Sequence, residues 1–196
     1  MRLIAALGLM ASLTIAACGS AATASAPAVN PTPDEAQLLA NVRLDLQSTC
    51  APTRDGLPEG AIAAIECRPA SDAVGRVGVT LFDTQDDLMR TYLGTLEERE
   101  VEPRTNGGRC LPDEPSQGAY TPGDEGPELS ATRSACFARE DGAVQFLATL
   151  PPFVLIELAG IVADPEAVES FAWLGNQDTP GRPTIWSANG PLSPEK

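Results

Sequence analysis

The stretch of sequence that decides the fold is VGRVGVTLFDTQDDLMRTYLGTLEE, residues 74–98. From Val77 to Leu81, apolar side chains alternate with polar or small ones, which is the pattern of a strand with one buried face. After Asp83 the apolar residues recur at helical spacing instead, and acidic residues occupy the first turn. The stretch therefore predicts a strand that ends at Phe82 and a helix, capped by Asp83, that follows it directly.

Similar patterns predict the other elements. Thr32 is expected to begin a helix, because proline follows it and Glu35 stands where a capping box places its acid. Apolar spacing continues this helix to Leu46, and a last helix begins after Asp164. Strands are predicted over residues 61–67, 131–138, 143–150 and 153–162. This order predicts an α+β fold, in which an antiparallel sheet of about five strands is covered on one face by about three helices.

The composition predicts one domain, residues 32–178, followed by a Pro/Gly-rich tail, residues 179–196, in which Trp186 is expected to dock on the domain. The chain carries 13 Lys and Arg against 27 Asp and Glu, a net charge of −14. This balance disfavours nucleic acid as a partner. The chain has no histidine and only 5% aromatic residues. The first excludes Ser–His–Asp and Cys–His catalysis, and the second leaves little for the sugar platform of a glycosidase. No enzymatic activity and no cofactor are expected.

The N-terminal segment predicts export and anchoring. A positive residue and an uncharged apolar run form a secretory signal, residues 1–17, that is too short to span a bilayer. Ile15-Ala16-Ala17-Cys18 resembles the lipobox of bacterial lipoproteins, and this resemblance implies that Cys18 becomes the first mature residue and carries fatty acyl chains. Residues 18–31 then form the lipidated end and a flexible tether. The protein is expected on the extracytoplasmic side of the cell membrane; the alternative is an ordinary signal peptide with a chance cysteine.

The remaining four cysteines are Cys50, Cys67, Cys110 and Cys136. An even number of cysteines in an exported chain predicts two disulfides. Three pairings are open from the spacing, and we prefer the two between nearest neighbours, Cys50–Cys67 and Cys110–Cys136. Zinc binding is the competing interpretation, but it lacks both histidine and a Cys-x-x-Cys spacing, so no metal site is predicted.

Residues 100–130 are rich in proline, glycine and acids, and a loop of this length is uncommon unless it is functional or disordered. Tyr120 is expected in a short edge strand. The candidate binding residues of this loop are Tyr120, Asp113, Glu114, Asp124 and Glu125. Calcium binding by its acids would need the regular spacing of a calcium loop, which is missing; a solvated loop is the simpler interpretation.

Four stretches carry a wider resemblance: LLANVRLDLQSTC, GAIAAIECRP, VTLFDTQDDLMRTYL and SACFAREDGAVQFLAT. They resemble the extracytoplasmic C-terminal domains of some actinobacterial serine/threonine protein kinases, and stand-alone lipoproteins built on the same unit. The four cysteines, Phe82, Asp83 and residues 137–142 fall on the positions of that pattern. The resemblance implies the α+β fold, the nearest-neighbour disulfides, and a role in sensing or ligand binding.

We therefore expect a membrane-anchored ligand-binding or sensor-accessory module whose ligand the sequence does not identify. The sheet face left open by the helices and residues 100–130 are the expected binding surface. The alternative is a protein-interaction or envelope-assembly factor that binds no small ligand. Neither expectation defines an oligomeric state.

Overall fold

A computed structural model describes residues 30–101, 116–119, 133–173 and 186. Its helices are α1, Pro33–Asn41; α2, Leu44–Gln47; α3, Gln85–Glu98; and α4, Pro165–Trp173. Its strands are β1, Cys50–Pro52; β2, Ala61–Cys67; β3, Val74–Phe82; β4, Ser116–Ala119; β5, Arg133–Ala138; β6, Val144–Leu150; and β7, Val154–Gly160. The predicted α+β class and antiparallel sheet are confirmed. None of the described helices is both long and apolar enough to cross a membrane.

The strands form one antiparallel sheet in the order β1-β2-β3-β7-β6-β5-β4. Five of them were predicted; β1 and β4 are the additional two, and they are the short strands at the two edges. Each edge strand contains a residue that sheets disfavour, Pro52 in β1 and Gly118 in β4. The sequence pattern therefore does not predict a strand at either place. Tyr120, predicted to lie in an edge strand, follows β4 but is outside the described residues.

The helices cover both faces of the sheet, so the prediction of helices on one face is wrong. On the first face, α1, α2 and α4 pack on a cluster that includes Val79, Phe146 and Ile156. On the second face, α3 packs on a cluster that includes Phe82 and Leu147. The reason is the alternation of side chains along β3, in which successive residues point to opposite faces. Because α3 begins shortly after Phe82, it packs on the face that the Phe82 side chain occupies.

The start of α1 follows the sequence prediction. The Thr32 hydroxyl accepts a hydrogen bond from Glu35 N at 3.2 Å, and Thr32 N donates to Glu35 Oε2 at 2.7 Å, which completes a capping box. The Glu35 carboxylate is buried and also receives two hydrogen bonds from Arg54, from Nε at 2.8 Å and from Nη2 at 2.7 Å. The hydrogen bond from Arg54 is the main cause that lowers the pKa of Glu35 from 4.5 to about 2, against the opposing effect of burial.

Two predicted helix boundaries change. The first helix ends at Asn41 rather than continuing to Leu46, because Val42 adopts an extended conformation and pairs with Trp186 in an isolated antiparallel bridge. The docking of Trp186 is thereby confirmed, and its side chain is buried on the first face. The cap of α3 is Thr84 rather than Asp83: its hydroxyl accepts a hydrogen bond from Asp87 N at 3.2 Å.

A disulfide joins Cys50 to Cys67 and confirms that half of the preferred pairing. The two residues are directly opposite each other in the β1–β2 ladder. Cys136 is disulfide-bonded as well; the predicted bridge to Cys110 lies outside the described residues.

Candidate functional site

The part of the second face that α3 leaves open carries four polar residues: Glu66, Arg76, Gln145 and Glu157. We call this set the polar strip. Register places it in two adjacent rows across the sheet. Glu66 and Glu157 flank Gly78 in one row, and Arg76 and Gln145 flank Ala159 in the next. Because residues two apart on a strand share a face, the strip is continuous with the apolar residues under α3.

Arg76 lies between the two glutamates. Its Nη2 donates to Glu157 Oε1 at 2.5 Å, and its Nη1 is 3.7 Å from Glu66 Oε2. Gln145, which is buried, donates from Nε2 to the same Glu157 oxygen at 3.0 Å. The Glu157 carboxylate is thus oriented by two donors on one oxygen. Its other oxygen receives no hydrogen bond from the described residues, and its side chain is 32% exposed.

Gly78 forms the floor of the strip between the two glutamates. Its backbone has no positive φ, and a Cβ added there would meet nothing closer than Glu157 Cβ at 3.7 Å. Neither backbone conformation nor crowding therefore requires glycine at this position. A glycine inside a strand costs stability, and close approach of a ligand or of another backbone is a common reason for one.

A cleft of about 510 Å³ opens beside Arg76, on the side away from Gly78. We call it the Arg139 cleft. It is lined by Gly75, Arg76, Arg139, Asp141, Ala143, Ala159, Gly160 and Ile161. Arg139 Nη2 donates to Asp141 Oδ2, and Asp141 Oδ1 accepts from Ala143 N at 3.0 Å. The hydrogen bond from this backbone N–H is the main cause that lowers the pKa of Asp141.

A smaller cleft of about 260 Å³ adjoins Glu66 on the other side of the strip. We call it the Arg68 cleft. It is lined by Thr49, Ala51, Pro52, Thr53, Glu66 and Arg68. Arg68 Nε lies 3.3 Å from Glu66 Oε1. The polar strip shares Arg76 with one cleft and Glu66 with the other, so the clefts lie at its two ends. We call the strip and the two clefts together the groove.

Exposed ion pairs of this kind contribute about 0–1 kcal/mol each to stability. Such pairs are therefore poorly explained as supports of the fold. Fixed donors and acceptors beside an open floor can instead orient a polar ligand. In the described part of the chain, no group of three or more Cys, Asp or Glu side chains is placed to hold a metal ion.

The predicted site residues of the loop and the N-terminus lie outside the described residues: Asp113, Glu114, Tyr120, Asp124, Glu125 and Cys18. The polar strip was not predicted. Its signal in the sequence is the pair Gln145 and Glu157, polar residues inside otherwise apolar strands. Their position beside Glu66 and Arg76 depends on the strand register, which the sequence does not show.

Comparisons of the chain with protein-family models, with curated protein sequences and with solved structures give no match. What the groove binds must therefore be inferred from its own chemistry.

Proposed function

We propose that the protein is a lipid-anchored extracytoplasmic lipoprotein whose α+β domain binds a ligand on the second face of the sheet, in the groove formed by the polar strip and the two clefts. The observation that carries the proposal is the oriented Glu157 carboxylate beside the open floor at Gly78. One of its oxygens holds two internal hydrogen bonds and the other is available for a ligand.

The cellular location is proposed from two features. The lipobox at Ile15–Cys18 supplies a site for two acyl chains, which stable anchoring requires. The Cys50–Cys67 disulfide supports the same location, because disulfides persist in oxidising compartments. The second bridge, Cys110–Cys136, and the relationship to the extracytoplasmic domains of actinobacterial kinases remain predictions that belong to this proposal.

The binding function is tested by a thermal-shift screen of metals, sugars and cell-wall fragments on the full chain in detergent. A ligand present at a hundred times its Kd stabilises the folded state by about 2.7 kcal/mol, which raises the Tm of a domain of this size by about 5–10 °C. Gly78→Val fills the floor of the groove, and we expect it to abolish the shift. Gly94→Ala, on α3 with no atom within 4 Å of the added Cβ, is the matched control and should keep the shift.

A screen without any dose-dependent rise would contradict the ligand-binding proposal. A shift that survives Gly78→Val would place the ligand elsewhere.

Anchoring is tested separately by detergent phase partitioning of cell extracts. The wild-type protein should enter the detergent phase, and Cys18→Ala should remove it from that phase. Wild-type protein in the aqueous phase with a free N-terminal amine would overturn the lipid anchor.

A further inference from the structure

The groove is long as well as polar. It begins in the Arg68 cleft on β1 and β2, crosses the strip on β3 and β7, and ends in the Arg139 cleft beside β6. These strands are consecutive in the sheet order, and at about 4.8 Å between neighbours the groove spans roughly 20 Å. An elongated ligand fits this shape better than a compact one.

The groove is electrically balanced on a protein whose net charge is −14. Three cations, Arg68, Arg76 and Arg139, alternate with three anions, Glu66, Asp141 and Glu157. Every cation already contacts an anion within the groove. The groove therefore offers no net opposite charge to a charged ligand, whereas a neutral polar ligand can add hydrogen bonds to the groups already paired.

Hydroxyl groups complement this arrangement. A hydroxyl both donates and accepts, while guanidinium groups only donate and carboxylates only accept. One ligand hydroxyl can therefore donate to the available Glu157 oxygen and accept from a neighbouring arginine N–H. A ligand with a row of hydroxyls can repeat this contact along the groove.

The floor suits a ring-shaped polyol. Gly78 has no side chain and is only partly buried, and a Cβ added there would meet nothing closer than 3.7 Å. Ile161, 59% exposed at the edge of the Arg139 cleft, offers an aliphatic contact. Among the described residues, no aromatic side chain lines either cleft, so the affinity should be modest. We propose that the groove binds a neutral oligosaccharide; this inference rests on the proposed ligand-binding function.

The test is an NMR titration of the isotopically labelled full chain in detergent micelles. The neutral probes are maltotetraose, cellotetraose and tetra-N-acetylchitotetraose, and the anionic probes are tetragalacturonate and inorganic phosphate. At least one neutral tetrasaccharide should shift the amide resonances of Gly78 and Ala159. Glu157→Gln should weaken its Kd about tenfold, since a hydrogen bond to a charged group is lost. Glu140→Gln, at a glutamate in the β5–β6 turn whose side chain is 94% exposed, should leave the Kd unchanged.

The outcomes separate this inference from the proposed function. Binding of the anionic probes alone, at the same amides, would overturn the neutral oligosaccharide and keep the binding site. If no probe moves these amides, the oligosaccharide is overturned, and the broader thermal-shift screen decides whether the groove binds anything else. An equal loss of affinity in Glu157→Gln and Glu140→Gln would also overturn the inference.

Discussion

Replacing Glu35 by glutamine tests the buried ion pair that fastens α1 to the loop after β1. Glutamine keeps the size of the side chain and removes its charge, so Arg54 loses a bidentate partner and the capping box loses its carboxylate. The pKa change from 4.5 to about 2 corresponds to about 3 kcal/mol between the protonated and charged forms. Because the Arg54 side chain is 47% exposed, water weakens the pair, and we expect Glu35→Gln to lower the free energy of unfolding by about 2 kcal/mol at pH 7.

The stabilising effect of the Glu35 carboxylate should depend on pH. The folded-state pKa of Glu35 is depressed, so its stabilising contribution is complete above pH 4.5 and is lost as the pH falls towards 2. The difference between the wild type and Glu35→Gln, measured by urea unfolding at several pH values, should therefore shrink over that interval. Glu59→Gln, an exposed loop substitution, is the control and should change stability by less than about 0.5 kcal/mol. A difference below that size at pH 7, or one that does not vary with pH, would show that the Glu35–Arg54 ion pair does not stabilise the fold.

Three further predictions concern stability, and each is checked by thermal or urea unfolding. Tyr92 is 1% exposed, burial raises its pKa, and its hydroxyl has no hydrogen-bond partner in the described part of the chain. Tyr92→Phe should therefore stabilise the protein by about 1 kcal/mol. A loss of stability of that size would instead show that the hydroxyl makes a hydrogen bond. Gly94→Ala should stabilise α3 by about 0.5–1 kcal/mol. Gly160→Ala, whose Cβ would lie 2.6 Å from a backbone oxygen, should destabilise the protein by about 1–3 kcal/mol. If Gly160→Ala were the more stable of the two variants, the packing around Gly160 would be contradicted. Replacing Cys50 and Cys67 together by alanine should cost about 2–3 kcal/mol, since the bridge closes a loop of 17 residues, and an unchanged midpoint would show that the bridge does not stabilise the fold.

The local elements of this fold are predictable because their signals are local. The capping box of Thr32 and Glu35 spans three residues, and the alternation within β3 lies in one short stretch. Both appear in the structure as the sequence predicts. The cap of α3 was misplaced by one residue, since Asp83 and Thr84 are both good capping residues.

The features that were missed depend on contacts between distant residues. Arg54 lies 19 residues from Glu35, and Arg76 lies 81 residues from Glu157. The second pair follows from strand register, which a single sequence leaves open. The first pair follows from the placement of α1 beside the loop after β1. The placement of α3 on the second face lies between predictable and unpredictable features. It follows from the position of Phe82, but only once the end of β3 is known.

Photo-crosslinking in intact cells tests directly whether the second face binds a small ligand. A diazirine amino acid is placed at Ile161, exposed beside the Arg139 cleft, and in a matched variant at Leu44, 80% exposed on α2 on the first face. If the groove binds an oligosaccharide, mass spectrometry should detect a carbohydrate adduct at position 161 and none at position 44. A recurrent protein partner at position 161, without a small adduct, would contradict it and favour an interaction factor.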